Sequence, residues 1–140
     1  MIPRYNRPEI EKIWSQENKF KIWTEIECLI SDKLALLGQI PKKDAKQIRS
    51  KARFKISEIE KIEKETKHDF VAFINNVSSY IGESSKYFHY GVTSSDIIDT
   101  AFSLQLNQTG KILINQLKTL ISELRKKTLK YKNTLMIGRS

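Results

Sequence analysis

A chain of 140 residues can close one domain around a core of its own and is too short to hold several. Hydrophobic residues at 39% beside charged residues at 29% exclude a disordered chain, which lacks the apolar surface to offset the entropy of ordering. The formal charge of +9, from 25 basic and 16 acidic residues, attracts polyanions, phosphorylated metabolites and acidic protein surfaces alike and selects none of them.

The single cysteine, Cys28, sits in an apolar helical pattern, so no intrachain disulfide and no cysteine metal cluster is available. A reducing, cytoplasmic setting is expected. The first eight residues, Met1 to Pro8, lack the apolar core of a secretion signal, and no stretch approaches the roughly 18 apolar residues that span a bilayer. Membrane association is not expected.

Pro8 suits a first helical turn, and Ile10, Ile13 and Trp14 give one apolar face, so a short helix is predicted over 8–15. Phe20, Trp23, Ile26, Ile30, Leu34 and Leu37 recur at three- and four-residue intervals until Gly38 and Pro41 stop a second helix. Asp44 can start a short helix through Ser50, and Ile56, Ile59 and Ile62 mark another running toward Thr66. Phe70, Phe73, Ile74, Val77 and Ile81 then repeat the spacing of a buried helix face, ending at Gly82.

From Ser94 to about Asn133 the chain has no proline and one glycine, while Ile98, Phe102, Leu106, Leu113, Leu117, Leu120 and Leu124 keep a helical stripe. Such a helix would run on the order of 60 Å, about twice the span of a compact domain of this length. Its apolar stripe calls for partner helices from further sequence or from other subunits. With no internal repeat and no convincing strand pair, the expected fold is all-α: an N-terminal helical domain over 1–92, then one long helix over 93–140 that belongs to a central helical bundle.

Three polar clusters could carry chemistry. His89-Tyr90-Gly91-Val92-Thr93-Ser94-Ser95-Asp96 precedes the long helix; it serves either as a turn and helix cap or as an anion site of hydroxyls and helix-start amides. His68 lies between Lys67 and Asp69, either as a solvated loop histidine or as part of a tunable donor and acceptor set, since a carboxylate raises and a lysine lowers an imidazole's pKa. Arg4 and Tyr5 either pin an N-terminal tail or grip a phosphate, Arg through two parallel N–H bonds. The segment Gly138-Arg139-Ser140 reads as a stretch cut short.

Taken together, Arg4-Tyr5 with Arg7-Pro8-Glu9, Thr66-Lys67-His68-Asp69 with Val71-Ala72-Phe73, and His89 to Asp96 through Asp99-Thr100-Ala101 closely resemble the adenylosuccinate lyase family of the fumarase and aspartase superfamily. Gly138-Arg139-Ser140 resembles the start of that family's Gly-Arg-Thr-His-Gly stretch, with Ser in place of Thr. The resemblance covers all of this chain and about the first third of a full family member.

The resemblance implies a β-elimination that splits adenylosuccinate into AMP and fumarate and removes fumarate from the related succinyl-aminoimidazole carboxamide ribotide, with no metal or organic cofactor. It puts Arg4 and Tyr5 at the nucleotide phosphate and Thr93 and Ser94 at a succinyl carboxylate. Lys67, His68 and Asp69 line the same pocket, His68 supporting the general acid and Asp69 holding its tautomer. His89 contacts phosphate or positions the loop. The principal acid, a histidine expected directly after Ser140, and the base, a serine on a distant mobile loop, lie outside these residues, so the piece alone is expected to be inactive. A homotetramer is implied for the whole protein, acting on a polyanionic nucleotide.

A reading from another class is a small basic helical module binding nucleic acid or an acidic protein. It would need a concentrated Lys/Arg face with interleaved aromatics, whereas Lys42-Lys43, Lys61, Lys64 and Lys126-Lys127 are scattered over helix exteriors. Nucleic acid is therefore not an expected partner.

Overall fold

Helix α1 (Pro8–Ile13) opens with proline at its first position, where the missing N–H would have no partner anyway. The computed structural model, which describes residues 2–139, continues with α2 (Gln16–Leu36), α3 (Lys42–Lys51), α4 (Ile56–Thr66) and α5 (Asp69–Ile81). A 3-10 segment over Gly82–Tyr87 follows, and α6 (Ser94–Tyr131) runs for 38 residues. Among the described residues there is no strand, so the all-α expectation holds.

Local chemistry sets the helix ends. The Ser15 hydroxyl accepts from the Asn18 N–H at 3.2 Å, so α2 starts a turn before its first apolar residue. At its other end Gly38 takes φ +73°. The Gln39 N–H then reaches the Leu34 carbonyl at 2.9 Å and the Gly38 N–H reaches that of Ala35 at 3.2 Å. Those paired bonds satisfy carbonyls that the last turn would otherwise leave open.

The residues as far as Gln105 form one compact unit, and those from Leu106 onward another. In the first, Phe20 and Trp23 of α2 meet Phe70 and Phe73 of α5. The Phe20 and Phe73 rings stack with centroids 5.7 Å apart, and Trp23 lies 5.0 Å from Phe70. Ile48, Ile59 and Val77 close around them, and Ile97 and Ala101 bring the first turns of α6 into the same core. Each buried Phe, Ile or Val among them contributes roughly 1.5–3 kcal/mol by leaving water. Buried Asn76 is satisfied as well as buried: its carbonyl accepts from the Lys55 N–H at 3.0 Å and its amide donates to Glu58 at 2.9 Å.

From Leu106 the helix carries Leu113, Leu117, Leu120 and Leu124 along one stripe, each at least 50% exposed. Period alone therefore made a helix there without burying it.

Candidate functional site

Lys67, His68 and Asp69 form the corner between α4 and α5. Lys67 ends α4 in the left-handed region at φ +55°, its N–H donating to the Glu63 carbonyl at 2.8 Å. That conformation costs an L-residue roughly 1–2 kcal/mol and turns the chain sharply enough for α5 to start two residues later. Its exposed ammonium leaves the corner beside Glu60, Glu63 and Lys64.

His68 caps α5, with Nδ1 accepting from the Val71 N–H at 3.4 Å. In a neutral ring that bond leaves the proton on Nε2, so the free edge of the ring is a donor. Asp69 Oδ1 lies 3.7 Å from the same Nδ1 and itself accepts from the Phe70 N–H at 2.7 Å. The contact that selects the tautomer is thus the Val71 amide, while the Asp69 carboxylate adds negative charge at the positive end of the helix. Both side chains keep about half their surface in water.

Thr93 and Ser94 stand at the start of α6. The Thr93 N–H donates to Asp96 Oδ2 at 2.8 Å, and the Asp96 N–H returns to the Thr93 carbonyl at 3.1 Å. Asp96 thereby occupies one helix-start donor with its own carboxylate, a reciprocal cap. Thr93 is exposed and Ser94 half-buried, so both hydroxyls face a surface a ligand can reach. Arg4 and Tyr5 end a 3-10 turn, the guanidinium 5.0 Å from the centre of the tyrosine ring. Among the described residues no hydrogen bond or ion pair joins these two to the other candidates.

His89 is the best anchored of the set. Its backbone is left-handed at φ +62°, its ring lies 5.0 Å from that of Phe70, and its Nδ1 is 2.6 Å from Glu27 Oε1. Phe70 belongs to the first turn of the helix that His68 caps, so one aromatic contact brings the His68 corner and the His89 loop to the same end of the fold. Apart from glycines, Lys67 and His89 are the two positive-φ residues among the described ones. Backbone strain of this kind concentrates where function holds it in place.

Glu27 is the residue that sequence reasoning missed. It is fully buried on α2, Oε2 has no hydrogen bond, and burial pushes its carboxyl above the ordinary range while the bond to His89 draws it partly back. A glutamate four residues after Trp23 and three before Ile30 lies inside an apolar helix face, which was the available signal. The neighbouring Cys28 thiol is pushed up to about 11 by burial, which leaves it protonated and unreactive at neutral pH.

Among the described residues no three His, Cys, Asp or Glu side chains are grouped to hold a metal ion, and no helix is long and apolar enough to cross a membrane. Arg139 is exposed; Ser140, the last residue of the Gly-Arg-Ser stretch, lies outside the described residues.

A family model described as lyase matches residues 4–140. Adenylosuccinate lyase of Bacillus subtilis (strain 168) is 46% identical over 140 residues, covering 100% of this chain and 32% of that protein. The enzyme of the same name from Streptococcus mutans is 44% identical with the same coverage. The chain thus spans about a third of the length of the curated relatives it matches. The crystal structure of a fumarate lyase from Mesorhizobium sp. BNC1 superposes with a TM-score of 0.84 over 97% of this chain and 34% of that one, at 23% identity. That likeness carries the fold.

Proposed function

The chain belongs to the lyase family, and on that premise we propose that it is the N-terminal part of an adenylosuccinate lyase. The whole protein cleaves adenylosuccinate to AMP and fumarate, and the succinyl-aminoimidazole carboxamide ribotide of purine synthesis to its carboxamide and fumarate. The observation that carries this reading is identity of 42–46% to enzymes of that name, sustained along all 140 residues.

The reaction is a β-elimination. A base takes the proton from the succinyl carbon next to the one bearing nitrogen, and the electron pair left behind spreads into the adjoining carboxylate. That pair then forms the fumarate double bond as the C–N bond breaks, and an acid protonates the departing nitrogen. Binding energy spent on the phosphate, away from the reacting bond, holds the substrate in register.

Within this scheme Arg4 and Tyr5 bind the nucleotide phosphate, and Thr93 and Ser94 bind a succinyl carboxylate at the start of α6. Lys67, His68 and Asp69 line the pocket. His68 Nε2, left as a donor by the Val71 amide, orients the substrate and supports the acid. His89 contacts phosphate or positions the loop before α6. The principal acid and the base come from residues beyond these 140, so the chain by itself is inactive. Residues 1–92 form the N-terminal domain. Those from 93 onward open a central bundle with α6 as its first helix, and the half-exposed leucines from Leu113 to Leu124 are covered in a homotetramer. The enzyme is cytoplasmic and works without metal or organic cofactor.

Two observations test the proposal. The reading frame should continue past Ser140 with His-Gly, and the full-length protein should release fumarate from adenylosuccinate, followed by ultraviolet absorbance. A protein that leaves adenylosuccinate intact belongs to a different branch of the superfamily.

A further inference from the structure

Glu27 combines features that stability alone does not explain. Its side chain has no exposed surface, Oε1 is engaged by His89 Nδ1 at 2.6 Å, and Oε2 is the one buried side-chain oxygen or nitrogen among the described residues without a hydrogen bond. An apolar pair of similar volume would fill this space without burying a carboxylate oxygen that no side chain or amide bonds, and replacing buried ion pairs by apolar groups is often neutral or stabilising. His89, for its part, holds a left-handed backbone and keeps 22% of its side-chain surface, so the ring reaches solvent while one nitrogen is tied to the core.

Proton counting gives the arrangement a direction. A net negative charge on a fully buried carboxyl with a single side-chain partner is costly, and it is avoided when the pair holds two protons, one between Oε1 and Nδ1 and the other on Nε2. This holds whichever partner owns the shared proton. The upward push of burial on the Glu27 carboxyl, partly offset by His89, fits a pair that keeps its protons. Nε2 is then an N–H donor.

We propose that Glu27 is a positioning residue which, through Nδ1, fixes the His89 ring and keeps Nε2 as a donor to an anionic oxygen of the substrate, phosphate or carboxylate. The inference rests on the reading of this chain as part of an adenylosuccinate lyase with His89 at the substrate, and it extends that reading to a residue buried beneath the site.

The test is product inhibition of the full-length enzyme carrying Glu27→Met, which keeps the side chain's length and leaves Nδ1 with no hydrogen-bonding partner to hold the ring. The inhibition constant of one product should weaken about tenfold, in line with a hydrogen bond to a charged group, while that of the other stays unchanged. Weakened AMP identifies the phosphate as the anion; weakened fumarate identifies the carboxylate. His89→Gln should show the same selectivity, and the double variant should lose nothing further. Thermal unfolding checks that Glu27→Met folds. If it does not, Glu27→Asp, one methylene shorter, should show the same selective weakening. In an active enzyme, unchanged constants for both products, or a double variant whose losses simply add, overturn the proposal. An unaltered protein that releases no fumarate overturns the lyase reading instead.

Discussion

Up to Gln105 the apolar residues are spent on a core; from Leu106 the same helical spacing leaves its leucines half in water. Phe73 and Val77 on α5 have no exposed surface, whereas Leu117 and Leu124 on α6 expose 57% and 55%. Both stripes recur at three and four residues, so what differs is the presence of a facing element. Periodicity specifies which face a helix offers, and packing partners decide whether that face is buried.

The contrast can be broken most forcefully in the core. Phe73→Ala removes a ring that touches Phe20, Trp23 and Phe70, and should cost about 3–5 kcal/mol in chemical denaturation of this chain. Leu117→Ala sharpens the other side. In the 140-residue chain it should change stability by less than about 0.5 kcal/mol, as for other exposed positions. In the assembled full-length protein, where the proposed bundle covers that stripe, the same change should cost about 2–4 kcal/mol. Equal, small effects in both would leave the stripe without partners.

A smaller effect is expected at the start of α2, where Ser15→Ala deletes the cap on Asn18 and should cost about 1 kcal/mol, read by thermal unfolding. The mildest concerns Glu58. The Tyr80 hydroxyl, with Lys55 and Asn76, holds its carboxyl down to about 2 from an ordinary 4.5. Because the folded value lies below the unfolded one, this contribution is fully present above about pH 4.5 and is lost as pH falls toward 2. Glu58→Gln should flatten the acid side of the stability profile by slightly lowering stability above that window, and should leave the protein little changed near pH 2.

How far the sequence reveals this molecule follows from the same contrast. The predicted face of α5 is the buried one, since Phe70, Phe73, Val77 and Ile81 all enter the core. On α2 the buried face runs instead through Phe20, Trp23, Glu27, Ser31 and Ala35, with Ile26, Ile30 and Leu34 on its flank and Leu37 exposed. A polar residue on a core face is legible only with its partner, and His89 lies 62 residues away. The turns at Lys67 and His89 were hidden for a different reason: a left-handed backbone normally announces itself as Gly or Asn, and neither position carries one. The motifs that resemble the lyase family were legible because their chemistry is local to short segments. The placement of His68 and His89 at the same end through Phe70 was not, because it depends on how α5 meets the loop before α6.

The most direct test of the account is turnover of adenylosuccinate by the full-length protein with His68→Ala, at a folded fraction matched to the unaltered enzyme. Fumarate release should slow by about 10²-fold with an unfolding midpoint shifted by no more than a few degrees, as befits a half-exposed histidine that orients the substrate and supports the acid. Unchanged turnover would contradict the account.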